Sequence, residues 1–421
     1  MLRQQPIGVC TCALLCALGA DATSAQTPQT PEPNATDDSA LTVNLIGRVF
    51  DRLREVAKRI PVYRGSEAYD DYTNFKARLA RDSGLSWVID VSYLQQWGLH
   101  GAGSPAGQAL ATPSFSWDLF DHQDFGTGSL QLIYNVARYT TAQDALGIQD
   151  RLGLITPIND YSHRQNIFPQ LTYTHTFPGK RWLAGAGQYP IYNFDDNDYL
   201  NNQQLNFNNY ILSQNGSATY PLAGLGAYVQ FTAASSLQFA AGGQNASNVQ
   251  APTLAPQSRG EGLAWFGYGQ WTPEFDGMGA AQYSLLFYQA PDVPLQPRTR
   301  GWSLNAVQNL NDTWAVFGRA NRAYQFVTPI RASYALGVAM NNPFGRSATD
   351  QIAFAVGYGD AAPPPTNPSG ARNEKVLEGY LNWTFAKGLL ITPDVQYIVD
   401  PALDPARRSV WILSLRTTFL F

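Results

Sequence analysis

From Gly84 to the C-terminus, polar and apolar residues alternate with a period of two. The stretch from Val410 to Phe421 is the clearest case. Trp411, Leu413, Leu415, Thr417, Phe419 and Phe421 fall on one face, and Ile412, Ser414, Arg416, Thr418 and Leu420 on the other. The stretches 389–398 and 377–385 repeat the pattern. Successive side chains of a strand point to opposite faces, so this period predicts strands with two different faces. Sixteen runs are marked in this way: 85–96, 111–120, 128–138, 167–177, 181–190, 222–232, 236–243, 262–271, 279–289, 299–308, 313–321, 330–340, 350–359, 376–386, 389–399 and 409–421. Their connections alternate in length. Pro178-Gly179-Lys180 and Ala386-Lys387-Gly388 are short, whereas 139–166, 191–221, 244–261 and 360–375 are long.

This region holds no run of 18 apolar residues, so helices that span a membrane are not predicted. The hydrocarbon layer otherwise admits a closed barrel, which leaves no backbone group unpaired. Strands of about ten residues with one apolar face and aromatic ends are the mark of such a barrel. The predicted fold class is therefore all-β, a transmembrane antiparallel β-barrel of about 16 strands. An even count places both ends on one side, expected to be periplasmic, with the long connections outside the cell. A barrel of this size encloses water and not only side chains. Its expected partners are outer-membrane lipid and, through the C-terminal Phe421, the barrel assembly machinery.

The first 83 residues follow other rules. Arg3, the apolar stretch 7–20 and Thr23-Ser24-Ala25 read as a signal peptide over 1–25. The Pro-, Thr- and acid-rich stretch 26–40 reads as a flexible linker. Residues 41–83 are expected to form a periplasmic helical segment. Within it Val43, Ile46, Phe50, Leu53, Ala57 and Ile60 make a short heptad seam that Pro61 stops. Its outer face is basic, with Arg48, Arg52, Arg54, Lys58 and Arg59. The seam suits packing on the main domain, a short oligomerising coil, or contact with an anionic polymer. A second helix is predicted over 71–82, with Tyr72, Phe75 and Leu79 on one face.

Composition narrows the function. Charged residues make up 14% of the chain, against roughly 25% in soluble domains. The formal net charge of −4 supplies no basic field for nucleic acid. All three cysteines lie within the first sixteen residues, which leaves no disulfide scaffold, thiolate metal site or cysteine nucleophile. The four histidines form no i, i+4 pair of the metal-binding kind. No metal, no cofactor and no enzymatic activity are expected. A barrel phospholipase would need His175 near the outer rim, but it sits two residues before a short turn.

The C-terminal stretch LEGYLNWTFAKGLLITPDVQYIVDP, with the ending LRTTFLF, resembles the OprB-type carbohydrate-selective porins. The matching positions include Glu378, Pro393, Asp394, Gln396, Tyr397 and Pro401. Similar pieces are Phe75-Lys76-Ala77-Arg78-Leu79, Val316-Phe317-Gly318-Arg319, and Tyr220 to Gly226. The resemblance implies passive, selective diffusion of mono- or oligosaccharides through the outer membrane, with carbohydrate solutes as partners. A general ion or solute porin, an export channel for a secreted polysaccharide and a soluble β-sandwich adhesin are the alternatives. The seam over 43–60 is compatible with a homo-oligomer as well as a monomer.

Parity places Asn305, Arg319, Asn321, Glu378, Tyr380, Asn382, Asp394, Gln396 and Arg416 toward the water. Amides, aromatic planes and sparse charge of both signs suit sugar hydroxyls without imposing strong ion selectivity. Wall hydrogen bonding is the simpler role for each. Asp394 and Arg416, on neighbouring strands, are expected to form a salt bridge. The loop from Tyr192 to Asn215 reads first as a solvated exterior loop. Its length, amides and aromatics also suit a constriction folded into the lumen, with Asp195, Asp196 and Asp198 as the constriction candidates. The same three aspartates could hold a cation, although the run lacks the EF-hand glycine and glutamate.

Overall fold

The computed structural model describes residues 67–99, 101–248, 262–293, 298–324, 329–345, 347–362 and 373–421. The expected leader, linker and heptad seam lie outside these residues. Helix α1 (Glu67–Ser83) begins four residues before the predicted start at Asp71. The strands that follow are β1 (Leu85–Gly98), β2 (Ala106–His122), β3 (Gly126–Tyr139), β4 (Gln165–Thr176), β5 (Trp182–Tyr189), β6 (Gly224–Ala234), β7 (Leu237–Asn245) and β8 (Leu263–Trp271). The second half comprises β9 (Ala281–Ala290), β10 (Thr299–Asn309), β11 (Trp314–Tyr324), β12 (Ile330–Asn341), β13 (Gln351–Ala361), β14 (Glu374–Ala386), β15 (Leu389–Val399) and β16 (Ser409–Leu420). Each strand pairs antiparallel with the next, and β16 pairs with β1, which closes the sheet into a sixteen-stranded barrel. Closure removes the sheet edges on which a soluble sandwich reading depended.

The sixteen runs read from the sequence correspond to the sixteen strands, with differences at the ends. The largest is β2, which begins at Ala106 where the pattern predicts 111. Gly107, Ala109 and Ala111 occupy the outward positions there, and such small side chains hardly mark a period.

Within the strands the alternation is sorted by burial. In β16, Trp411, Leu413, Leu415 and Phe419 are exposed, while Ile412, Ser414, Arg416 and Thr418 are buried. Apolar residues outside and polar residues inside invert the pattern of a soluble protein, as lipid around the wall requires. Trp117, Trp182, Trp271, Trp314, Trp383 and Phe385 are exposed near one rim, and Trp97, Trp265 and Trp411 near the other. These are the two aromatic girdles of a membrane barrel.

Most turns at one rim are short, such as Phe177–Arg181 and Lys387–Gly388, and the four longest connections lie at the opposite rim. One of these carries α2 (Ala145–Leu152). The Asp144 carboxylate caps α2 by accepting the Gly147 N–H at 2.9 Å, and Gly153 ends it in the left-handed region at φ 69°.

Helix α1 lies at the short-turn rim, against the seam where the chain's first and last strands meet. The Tyr69 hydroxyl donates to the Leu420 carbonyl at 3.1 Å, and the Trp87 indole donates to the Tyr72 hydroxyl at 2.9 Å. Lys387 pairs with Asp70 at 2.5 Å. The Lys76 ammonium sits over the Tyr72 and Trp87 rings. Gly388 leaves the space that Tyr69 fills, since a Cβ there would lie 2.5 Å from its ring.

Candidate functional site

The connection between β5 and β6 folds back inside the barrel. It starts with a 3-10 turn at Ile191–Phe194, and a helical turn at Tyr210–Ser213 follows. Almost every residue from 197 to 223 is buried. This inner loop corrects the reading of residues 192–215 as a solvated exterior loop, since it lies buried against the inner wall of the barrel. A sequence signal was present. Between residues 192 and 223 there are three aspartates and no Lys, Arg or Glu, a composition poorly suited to a free loop in water.

Aromatic packing seats the first part of the loop. Phe194 packs on Phe266 with ring centroids 4.3 Å apart, and Tyr220 meets Tyr288 edge-on at 4.9 Å. At the helical turn, Ile211 and Leu212 lie against Gly357 of β13, where a Cβ would come within 2.8 Å of Ile211. A glycine at this wall position lets the turn approach the strand.

The nine inward residues chosen by parity all face the lumen side and are buried. Eight of them hold the inner loop. Glu378 accepts the backbone N–H groups of Asn208, in a short contact, and of Asn209 at 3.0 Å. Tyr380 donates to Asn206 at 3.3 Å, Asn382 to the Leu205 carbonyl at 2.6 Å, and Gln396 accepts from Asn209 at 3.1 Å. Asn321 accepts from the Ser217 hydroxyl at 2.7 Å. Asn305 donates to Asp195 at 2.8 Å and accepts from Arg319 at 2.7 Å, while Arg319 also donates to the Asp195 carbonyl at 3.3 Å.

Arg416 departs from expectation. Its guanidinium donates to the Gln203 carbonyl, to the Asn206 carbonyl at 2.8 Å and to the Asn208 side chain at 3.1 Å. The predicted salt bridge with Asp394 is absent among the described residues. The register explains this, since Arg416 stands opposite Thr392 and Asp394 stands opposite Ser414. The loop carbonyls take Nη1 of the guanidinium in place of a diagonal carboxylate.

The three loop aspartates separate in role. Asp195 is a hub whose carboxylate accepts from Asn305, from Asn215 at 2.8 Å and from the Tyr220 hydroxyl at 2.9 Å. Burial, reinforced by Asp195, holds that Tyr220 phenol protonated well above its usual range. Asp196 accepts from Asn201 in a short contact, and Asp198 offers its backbone carbonyl to Asn206 at 3.0 Å. The three have separate partners, and among the described residues no carboxylate cluster is placed to hold a cation.

Glu374 was not singled out by the sequence pattern. Its carboxylate accepts from Ile155 N, Thr156 N, Thr156 Oγ1 and Ala402 N at 2.8, 2.9, 2.6 and 2.8 Å. It thereby ties the β3–β4 and β15–β16 connections to the wall. The β3–β4 connection in turn braces the inner loop: Tyr210 N donates to the Pro157 carbonyl at 3.0 Å, and Asp160 N to Gln203 at 2.7 Å. Ile158 offers its carbonyl to Gln96 and Gln396.

Comparison with known proteins gives one consistent answer. Residues 135–421 match the carbohydrate-selective porin, OprB family. Porin AaxA of Chlamydia felis is 37% identical over 320 residues, covering 75% of this chain and 71% of that protein. Porin AaxA of Chlamydia abortus is 36% identical over 345 residues, covering 79% and 76%. The high-pH structure of OprB from Pseudomonas putida superposes with a TM-score of 0.68 over 83% of this chain and 97% of that one, at 15% identity, a likeness of fold.

Proposed function

We propose, given that this chain belongs to the OprB family of carbohydrate-selective porins, that its barrel passes small neutral carbohydrates across the outer membrane by passive diffusion. The observation that carries the reading is the sparse, mixed-sign charge of the lumen wall. Glu374 and Glu378 are each held by backbone N–H groups, and Arg319 and Arg416 by carbonyl oxygens. Sparse charges of both signs, each held in place by neutral groups, give the lumen no single dominant sign with which to sort ions. What the wall offers a solute is mainly amide and hydroxyl groups, which suit a molecule rich in hydroxyls. Family and fold both support a channel. In the bilayer the short turns and α1 face the periplasm, and the long connections face outward. Phe421, paired with Ile89 at the seam, is the end that the assembly machinery would read.

Planar-bilayer recordings of the refolded barrel test this reading. Current blocked by glucose and maltose, and not by a neutral polyether of similar size, is the expected result. Equal block by the polyether, or block by neither, would leave a general solute pore.

A further inference from the structure

Two arginines stand on the lipid-facing side of the wall where the apolar band gives way to the rim of the long connections. Read down from that rim, the outward positions are Arg300, Trp302 and Leu304 on β10, and Tyr324, Arg322 and Ala320 on β11. Register sets Arg300 opposite Tyr324 and Trp302 opposite Arg322, so the arginines are diagonal neighbours across the strand pair. Both guanidiniums lie over the Tyr324 ring, at 5.5 Å for Arg300 and 5.4 Å for Arg322. Leu304 and, opposite Trp302 on β9, Phe287 are exposed to the hydrocarbon layer.

Two like charges gathered at one ring repel, and at the edge of a low-dielectric layer that repulsion is less screened than in water. Among the described residues neither arginine pairs with a carboxylate, and the acids of this part of the rim are committed elsewhere. Asp360, two strands along the row from Arg322, takes the fork of Arg331 at 2.7 and 3.0 Å. Asp292 accepts the Arg298 N–H in a short contact, and Asp400 pairs with Lys375 at 3.0 Å.

An anion bridging the two guanidiniums relieves the repulsion. At this depth it must be a headgroup whose apolar chains run down past Leu304 and Phe287. Guanidinium forks match the oxygens of a phosphate. The wall below Arg322 also leaves room for a chain. Ala320 and Gly318 are the next outward positions of β11, with the taller Leu304 on one side and Tyr334 and Leu336 on the other.

We infer that Arg300 and Arg322 clamp the phosphate of a glycolipid in the outward-facing leaflet, with Tyr324 between them. This inference rests on the orientation given above, in which the long connections face outward.

The test is the double variant Arg300→Gln/Arg322→Gln of the full barrel, titrated in detergent and followed by native mass spectrometry. The probes are diphosphorylated lipid A, its dephosphorylated form and phosphatidylglycerol. Lipid A should bind the wild-type barrel, and loss of both arginines should weaken that binding about thirtyfold. The dephosphorylated form should not distinguish variant from wild type. Conductance in salt and the unfolding midpoint without lipid should stay unchanged, because both side chains stand outside the wall. Equal binding of lipid A to wild type and variant overturns the site. Phosphatidylglycerol bound as tightly as lipid A, with the same loss in the variant, overturns the assignment to a glycolipid. Orientation is tested separately by Leu403→Cys, exposed in the β15–β16 connection at the same rim. Labelling by an impermeant maleimide in intact cells is expected, and protection overturns the orientation and with it the leaflet.

Discussion

Glu374→Gln is the most informative single change in the rim. The carboxylate takes four donors, two on each oxygen, and three of them are backbone N–H groups that cannot turn away. Glutamine keeps one acceptor oxygen and sets an NH2 group against the other pair. With the oxygen toward Ile155 and Ala402, the Thr156 hydroxyl can rotate to accept, but the Thr156 N–H loses its partner. A hydrogen bond to a charged acceptor contributes about 1.5–3 kcal/mol, and the remaining bonds fall to neutral strength near 1 kcal/mol. Against this, the neutral side chain costs less to bury. The net loss is about 2 kcal/mol in the hold on residues 155–160, or roughly thirtyfold in the opening equilibrium. Hydrogen exchange followed by mass spectrometry reads this directly. Peptides covering 153–162 should exchange about thirtyfold faster, while those from the strand ladder β10–β12 keep their protection. Because Pro157 and Asp160 brace the inner loop, peptides covering 203–213 should show a smaller increase in the same direction. Unchanged exchange at 155–160 would refute the argument that Glu374 holds this connection.

Three further outcomes follow from the same geometry. Gly357→Val places side-chain atoms where Ile211 and Leu212 now lie, at a cost of about 1–3 kcal/mol, and should alter single-channel conductance by displacing the helical turn of the inner loop. Arg416→Met leaves the Gln203 and Asn206 carbonyls without their donor; the inner loop should lose about 2–4 kcal/mol of anchorage, seen as increased open-channel noise. Burial lowers the Lys76 amine from 10.5 to about 8, so the undocked helix binds that proton more tightly. Docking of α1 should therefore strengthen as pH rises from about 8 to 10.5 and be flat below about 8; Trp87 fluorescence would report it, and Lys76→Met should remove the dependence.

The barrel was legible because lipid and closure impose a strict rule on every strand. Each outward position must be apolar, and parity alone then assigned Glu378, Asn382 and Arg416 to the inside. The rule weakens where side chains are small, as at Gly107 and Ala109, and there the strand end was misplaced. The site was less legible because its bonds join segments far apart in the chain. Glu374 meets residues 155, 156 and 402, a convergence that no local pattern encodes. The Asp394–Arg416 pairing failed for the same reason, since the competing acceptors come from a loop more than 200 residues away.

The clasp formed by α1 bears on how the barrel is completed. Tyr69 and Leu420 are 351 residues apart in the chain, and their hydrogen bond needs the last strand to be already in place beside the first. Asp70 likewise awaits Lys387 in the turn between β14 and β15. A half-made barrel therefore has nowhere to dock the helix, and its Tyr72 and Phe75 side remains uncovered. Docking is thus an end-of-assembly event, a lock that turns only after the two edges of the sheet have met.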